Sequence, residues 1–399
     1  MLRAALFALP MLALIPAACA QDTSSSGQHT PEAAAHSRQQ IIDSGGEHPA
    51  TPLADAPFTL TPAGSFDEPW AMVFLPGTRQ ALITERGGKL KLWQENAKTL
   101  DVFGVPAVHY GGQGGLGDII VDPNFSQNST IYLSWAEAGE GGIAGAVVGK
   151  AKLILGDTPH LDNLRIIWRQ SPKVTGNGHY SHRLAISPDG QYLFIGSGER
   201  QKFTPAQDMN QNLGKIVRLN LDGSVPKDNP FAEQGGIAAQ IWSLGHRNIL
   251  GLAFDHSGRL WNQEMGPKGG DEVNLVQPAA NYGYPIVSNG DHYDGKAIAD
   301  HITRPDFAAP KLWWNPSVSP AGLIFYHGEL YEGWKNSLFM GALSGKGLIR
   351  MAVDGENLHK SDRWDLGLRI REVEAREDGS LWLLSDGKDG QLLKLEPKP

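Results

Sequence analysis

Six times after residue 56, a turn rich in Asp, Gly or Pro precedes a short run dense in aliphatic and aromatic residues. This recurrence constrains the fold more than any other feature of the chain. The instances are Pro76-Gly77 before Ala81-Leu82-Ile83-Thr84, Asp122-Pro123-Asn124 before Ile131-Tyr132-Leu133, and Ser187-Pro188-Asp189-Gly190 before Tyr192-Leu193-Phe194-Ile195. Asp255 to Gly258 precedes Leu260-Trp261, Glu332-Gly333-Trp334 precedes Ser337-Leu338-Phe339-Met340, and Asp378-Gly379 precedes Leu381-Trp382-Leu383-Leu384. The spacing is uneven, at roughly 60 residues per unit. A unit this small cannot bury its own sheet, whereas blades stacked radially share a continuous core. The pattern predicts an all-β domain over residues 56–397, a six-bladed β-propeller of four-stranded antiparallel blades. A pair of large β-sandwiches would leave the repeated phrase unexplained. The 48 glycines and 26 prolines suit many short strands joined by tight turns. Sustained helical periodicity is absent, and short helical turns are expected only locally, for example near Ala206 to Leu213.

The first 20 residues read as an export signal: Arg3 supplies charge, Ala4 to Ala17 is apolar, and Ala18-Cys19-Ala20 offers small residues for cleavage. The apolar run is short and interrupted by Pro10 and Pro16, and no later stretch is long enough to span a bilayer. A periplasmic or secreted protein without an integral membrane segment is therefore expected. Cys19 is the single cysteine. Removal with the signal is favoured over lipid attachment, because Pro16 spoils the lipoprotein box. No disulfide framework exists in either case. Residues 21–55 lack apolar periodicity and read as a disordered linker, with His29, His36 and His48 as solvated linker residues. The net charge of −8 and the lack of a basic stripe argue against nucleic acid as a partner.

Propeller loops converge around the central channel, so polar loop segments are where chemistry is sought. Five stand out. In Gly111-Gly112-Gln113-Gly114-Gly115-Leu116-Gly117, glycines permit close backbone approach to a ligand and leave Gln113 to orient it. His179-Tyr180-Ser181-His182-Arg183-Leu184, with Glu199 downstream, offers a histidine base and a carboxylate to fix its tautomer. Spacing alone does not choose between His179 and His182. Gly245-His246-Arg247-Asn248 carries donors suited to a carboxylate or oxyanion. Glu264-Met265-Gly266-Pro267-Lys268-Gly269-Gly270-Asp271-Glu272, continuing to Asn281-Tyr282-Gly283, joins carboxylates to a kinked backbone, as hard cations such as calcium prefer. Arg369 and Arg371, two apart on a strand, point the same way and suit a polyanion. Each segment also has a bland reading as a turn, a structural histidine or a solvated edge. No nucleophile elbow, dinucleotide-binding glycine motif, His-Glu-x-x-His or zinc-type cysteine set is present, so a redox role requires another cofactor.

Taken in order, these segments resemble the soluble PQQ-dependent aldose sugar dehydrogenases, relatives of soluble quinoprotein glucose dehydrogenase. The likeness runs from about Phe66 to Leu395, through Gly-Gly-Gln-Gly-Gly-Leu at 111, His-x-x-x-Arg-Leu at 179, Gly-His-Arg-Asn at 245, Gly-Pro-x-Gly-Gly-Asp-Glu at 266 and Arg-x-Arg at 369. The resemblance implies that His179 is the base, with Glu199 beside it. It implies that Gln113, Arg247, Asn248, Arg369 and Arg371 hold pyrroloquinoline quinone (PQQ). Backbone carbonyls of Gly266 and Pro267 would bind a calcium ion touching the cofactor, and Glu272 with the Tyr282 backbone a second, structural one. His182 stands where the family has a small residue, which would narrow the pocket. The family lysine falls on Ser344, leaving Lys346, two residues on, as its substitute. The implied reaction takes an aldose to its lactone. Calcium polarises the quinone, His179 removes the anomeric hydroxyl proton as hydride leaves C1, and Arg247 stabilises charge on the quinone oxygen. Electrons would pass to an external acceptor such as a quinone, cytochrome or dye.

Two other readings use the same fold. A calcium-dependent lactonase would need Glu, Asn and Asp side chains on one ion and has no use for Arg369 with Arg371. A non-catalytic sugar-binding propeller is favoured only by Ser344 and His182. Val287 to Asp306 is expected to be a pocket-wall loop, with Trp313 and Trp314 lining the pocket. The sequence is compatible with a monomer or a homodimer.

Overall fold

Each of the six recurring turns joins the first and second strands of one antiparallel sheet, and these sheets are the blades of a propeller. The computed structural model describes residues 48–398. The expected signal at 1–20, with Cys19, and most of the expected linker, with His29 and His36, lie outside the described residues.

Blade I comprises Pro69–Phe74, Gln80–Glu85, Lys89–Gln94 and Leu100–Val102. Blade II comprises Leu116–Val121, Thr130–Ala138, Ile143–Ile154 and His160–Arg169. Blade III comprises Ser181–Ile186, Tyr192–Ser197, Lys215–Asn220 and Ile241–Leu244. Blade IV comprises Ile249–Phe254, Leu260–Glu264, Asp271–Leu275 and Leu312–Trp314. Blade V comprises Pro320–Tyr326, Ser337–Ala342, Gly347–Asp354 and Asn357–Asp365. Blade VI takes Ile370–Ala375, Leu381–Ser385 and Gly390–Pro397 from the end of the chain, and its outer strand, Phe58–Phe66, from the beginning. Phe58 pairs with Pro397 and Phe66 with Gly390, so hydrogen bonds between distant parts of the chain close the ring. The first strands of the blades pack on one another in chain order, and the sixth returns to the first.

The turns work by local chemistry. Gly77, Gly190, Gly258, Gly333 and Gly379 all adopt positive φ, between 69° and 83°, which any side chain would strain. In four of the turns an aspartate accepts hydrogen bonds from the backbone two residues on: Asp122 from Asn124, Asp189 from Gln191, Asp255 from Ser257 and Asp378 from Ser380. Asp255 also accepts from Trp261 Nε1 at 3.0 Å, tying its turn to the strand that follows.

The apolar core lies between blades. Each of the six gaps holds its own buried cluster among the described residues. Leu82 and Leu90 of blade I meet Leu133 and Trp135 of blade II, for example, and Trp261 and Trp314 of blade IV meet Met340 and Ile349 of blade V. A buried side chain of this size contributes about 1.5–3 kcal/mol, so each sheet is held by its two neighbours.

Two expectations are corrected. The last residues of the expected linker are already part of the domain: Thr51–Pro52 runs parallel to the outer strand of blade V, and Leu53–Asp55 forms a 3-10 turn. His48 is partly buried there, its carbonyl accepting from Arg363. Backbone pairing orders this segment while both strand side chains stay exposed, so no apolar pattern marks it. Trp314 sits in the cluster between blades IV and V and does not line the pocket. A short 3-10 turn, Thr204–Gln207, occurs where a helical turn was expected.

Phe58, on the closing strand, is fully buried and meets Trp334 and Trp364 edge-on at 5.8 and 5.3 Å. Phe58→Ala should lower unfolding free energy by about 3–5 kcal/mol, read from chemical denaturation. Thr59→Ala, at the exposed neighbouring position, should change it by under about 0.5 kcal/mol. Equal effects of the two would mean that the closing strand is not held by its buried face.

Candidate active site

The segments entering the first strands and the loops leaving the second strands meet on one face of the ring, and every segment singled out above lies there. Gln113 precedes the first strand of blade II, His179 that of blade III, and Arg247 and Asn248 that of blade IV. Arg369 and Arg371 flank the start of the first strand of blade VI. Glu199, Gly266, Pro267 and Lys346 follow second strands.

His179 and Glu199 form a buried pair in which imidazole Nδ1 is hydrogen-bonded to carboxylate Oε1. The other carboxylate oxygen accepts the backbone N–H groups of Lys202 and Phe203 at 2.6 and 2.7 Å. With its orientation fixed, Glu199 holds the Nδ1 proton and leaves Nε2 as the free basic nitrogen. Burial lowers the His179 pKa below its ordinary value, Glu199 opposes this, and the Arg247 charge adds to the lowering. Burial opposes ionisation of Glu199 too, but its hydrogen bond and charge interaction with His179 hold it below the usual carboxylate range. His179 sits on a left-handed backbone (φ 47°) that costs on the order of 1–3 kcal/mol.

His182 has different surroundings. Its ring stacks on Trp70 at 5.1 Å, bonds Ser134 Oγ through Nδ1 at 2.8 Å, and has no carboxylate partner among the described residues. Burial, then Arg183 and Arg200, push its pKa down to about 3. Pairing in blade III slips between Ser181 and Leu184, and Ser181 and His182 both have positive φ. This irregularity breaks the simple alternation of a strand, which is why spacing could not separate the two histidines.

Arg247 is set by Glu264, which the sequence reading had placed among the carboxylates suited to a cation. Glu264 accepts the Arg247 N–H at 2.5 Å and bonds His246 Nδ1 at 2.8 Å. His246 also bonds Ser243 Oγ and stacks on Tyr282, so it serves the scaffold. Arg247 Nη1 donates to Met265 O at 2.8 Å. Among the described residues, Arg247 Nε and Asn248 Nδ2 are buried donors without a hydrogen-bond partner. Such donors are costly until an acceptor arrives, so this spot fits an oxygen-rich ligand.

Three cavities lie on this face, and Arg247 lines two of them. A central one of about 280 Å³ is lined by Gln113, Arg369, Arg371, Trp70, His182 and Leu343, among others. An outer one of about 280 Å³ is lined by His179, Glu199, Arg247, Phe203 and Tyr284, with His292, Tyr293 and Asp294 from the loop expected as a wall. Gln113 Oε1 accepts the His179 N–H at 2.7 Å and links the two. Between them is a void of about 10 Å³, lined by Gly266, Pro267, Glu272 and Tyr282 among others. That is room for about one water-sized sphere. The four residues expected to serve two calcium ions thus border one small space. Burial, with Glu264 and Asp271 nearby, raises the Glu272 pKa well above its ordinary value. No group of three or more His, Cys, Asp or Glu is placed for a metal among the described residues, so an ion here would rely on backbone carbonyls.

Three placements differ from expectation. Arg369 and Arg371 already share a carboxylate, Asp386, at 2.9 Å each. Lys346 is exposed and, like Ser344, does not line the central cavity, whose wall there is Leu343 and Ser319. Ser344 Oγ bonds Ser319 Oγ instead. The glycines around Gln113 make room for protein: a Cβ at Gly112 would strike Asn177, one at Gly115 the Arg86 carbonyl, and one at Gly117 the His182 ring. Gly117 thereby leaves room for the His182 imidazole. Arg86 is a further cavity residue that the sequence reading missed.

A family model described as glucose/sorbosone dehydrogenase matches residues 66–394. The aldose sugar dehydrogenase YliI of Escherichia coli is 40% identical over 340 residues, covering 83% of this chain and 91% of the relative. Quinoprotein glucose dehydrogenase B of Acinetobacter calcoaceticus is 31% identical over 440 residues, covering 84% and 88%. The crystal structure of the soluble aldose sugar dehydrogenase from Escherichia coli in the apo form superposes with a TM-score of 0.81 at 38% identity, covering 86% of this chain and 100% of that one.

With a folded pKa of about 3, His182 stays neutral where an unfolded histidine, near pKa 6.5, takes up a proton. Stability is therefore lost as pH falls below about 6.5, by about 1.4 kcal/mol per pH unit from this group. His182→Gln should flatten the pH slope of unfolding free energy between pH 6 and 4.5 by that amount. Identical slopes in wild type and variant would mean that His182 is charged in the folded protein.

Proposed function

This chain belongs to the glucose/sorbosone dehydrogenase family and is a sugar dehydrogenase, and we propose that it oxidises aldoses at C1 to lactones using PQQ and calcium. The observation that carries this reading is the adjacency, across Gln113, of the buried His179–Glu199 pair and a cavity walled by paired arginines. The name of the Acinetobacter relative, a quinoprotein, supports the choice of cofactor.

When bound, PQQ supplies a hydride acceptor at the quinone, made more electrophilic by calcium. The chain's residues do the rest. His179 Nε2 takes the proton of the anomeric hydroxyl, while Glu199 keeps Nδ1 protonated and stabilises the imidazolium that forms. Arg247, pinned through its backbone by Glu264 and through Nη1 by Met265 O, presents a fixed positive charge where negative charge develops. Arg369 and Arg371 hold cofactor carboxylates as charge-assisted partners, with Gln113 and Asn248 as neutral ones. Carbonyls of Gly266 and Pro267, with Glu272 and Tyr282 close by, hold the cation. Phe203 and Tyr293, both largely exposed, form the outer rim through which the sugar enters. Electrons leave to an external acceptor.

We further propose that the protein works outside the cytoplasm, in keeping with its signal-like N-terminus. No helix among the described residues is long and apolar enough to cross a membrane.

Purified protein given PQQ and calcium should reduce an artificial dye in an aldose-dependent way, and a chelator present during reconstitution should prevent it. His179→Ala should keep PQQ bound but lose about 10²–10⁴-fold in turnover. Arg369→Ala should instead weaken cofactor binding. Because burial lowers the His179 pKa, the acid limb of kcat/KM should lie below the ordinary histidine range. Dye reduction without added cofactor, or equal loss of binding in both variants, would count against these roles.

A further inference from the structure

Arg86 directly follows the second strand of blade I and lines the central cavity with Arg369 and Arg371. Its backbone is clamped on both sides: its N–H donates to Glu68 O at 3.0 Å, and its carbonyl accepts the Leu116 N–H at 3.0 Å. The guanidinium is held as well. Nη1 donates to Gly112 O at 2.7 Å in the glycine-rich loop, and the group lies over the Tyr110 ring at 5.3 Å. Its carboxylate contact is loose, with Glu68 3.4 Å from Nη2. Nε is buried and has no hydrogen-bond partner among the described residues.

The charges around the cavity are unequal. Arg369 and Arg371 share Asp386 at 2.9 Å each, whereas Arg86 pairs with Glu68 at a longer 3.4 Å, and Glu68 also accepts from the Tyr110 hydroxyl. On the opposite flank of blade VI, blade V presents Ser344 and an exposed Lys346, with no cation in the cavity wall. We infer that Arg86 holds cofactor carboxylate from blade I, taking the cationic role that Lys346 does not fill on blade V. The inference rests on the quinone reading above. A clamped arginine with a free donor suits this role, because little motion remains to be lost on binding. Its planar fork also offers a carboxylate more than a point charge would.

Wild type, Arg86→Gln, Arg86→Lys, Lys346→Ala and Glu68→Gln proteins would each be titrated with PQQ in the presence of calcium. Bound cofactor would be read by tryptophan fluorescence quenching and by ultrafiltration, without any turnover assay. Arg86→Gln should raise Kd by about 10- to 100-fold, with partial recovery in Arg86→Lys. Lys346→Ala should stay within about twofold of wild type. Glu68→Gln removes the carboxylate that competes for Arg86 and should tighten binding by about threefold. It decides the matter if Arg86→Gln does not fold. Wild-type affinity in Arg86→Gln, no change in Glu68→Gln, or a loss carried by Lys346→Ala would overturn the role of Arg86 while leaving the quinone reading intact. A wild type that binds no PQQ would remove both.

Discussion

The pairing of Phe58–Phe66 with Gly390–Pro397 is the constraint on which the rest of the structure depends. No blade has an apolar core of its own, so each is stable only between two others, and an open arc would leave two apolar faces in water. Closure also gives the chemistry its geometry. Residues from all six blades border the central cavity, and they stay in register only if the ring is complete. The site is thus built from short segments at strand ends, each anchored in a buried strand and aimed inward by the curvature of the whole.

Within that frame, carboxylates act mainly as positioning groups. Glu199 orients His179 and pins the backbone of Lys202 and Phe203. Glu264 sets Arg247 through its N–H, and Asp386 gathers two arginines. In each case a buried or partly buried anion fixes a group of higher functional value, leaving one face of that group, or one nitrogen, for a ligand. The unpaired donors on Arg247, Asn248 and Arg86 are what remains after the protein has satisfied its own groups.

Much of this was legible in the chain. The turn chemistry repeats because five of the six first turns use a left-handed glycine and four an aspartate that accepts from the backbone, so the number of blades could be read directly. The closing strand was not legible: Phe58–Phe66 contains Pro62 and Gly64 and slips in register between them, so it lacks strand alternation. His179, Glu199, Arg247 and Arg371 stood in recognisable segments, and the structure gathers them on one face. Asp386 and Arg86 were missed for a common reason. Each is a single charged residue at or just after the end of a second strand, a position where a solvated side chain looks the same in sequence. The glycines around Gln113 were taken to favour a ligand, whereas the neighbours they admit are parts of the protein, distant in sequence and invisible before folding.

Ring closure also sets an order of events in synthesis. The strand Phe58–Phe66 is made before any blade, yet its partner Gly390–Pro397 is made after nearly all of them. Through most of its production the chain therefore holds an unpaired strand waiting for its mate, and the final sheet forms only when both ends are present. Long-range pairing of this kind is slow and leaves edges open to wrong partners meanwhile. A polypeptide whose outer strand waits for Gly390–Pro397 cannot close its ring until nearly the whole domain has been made.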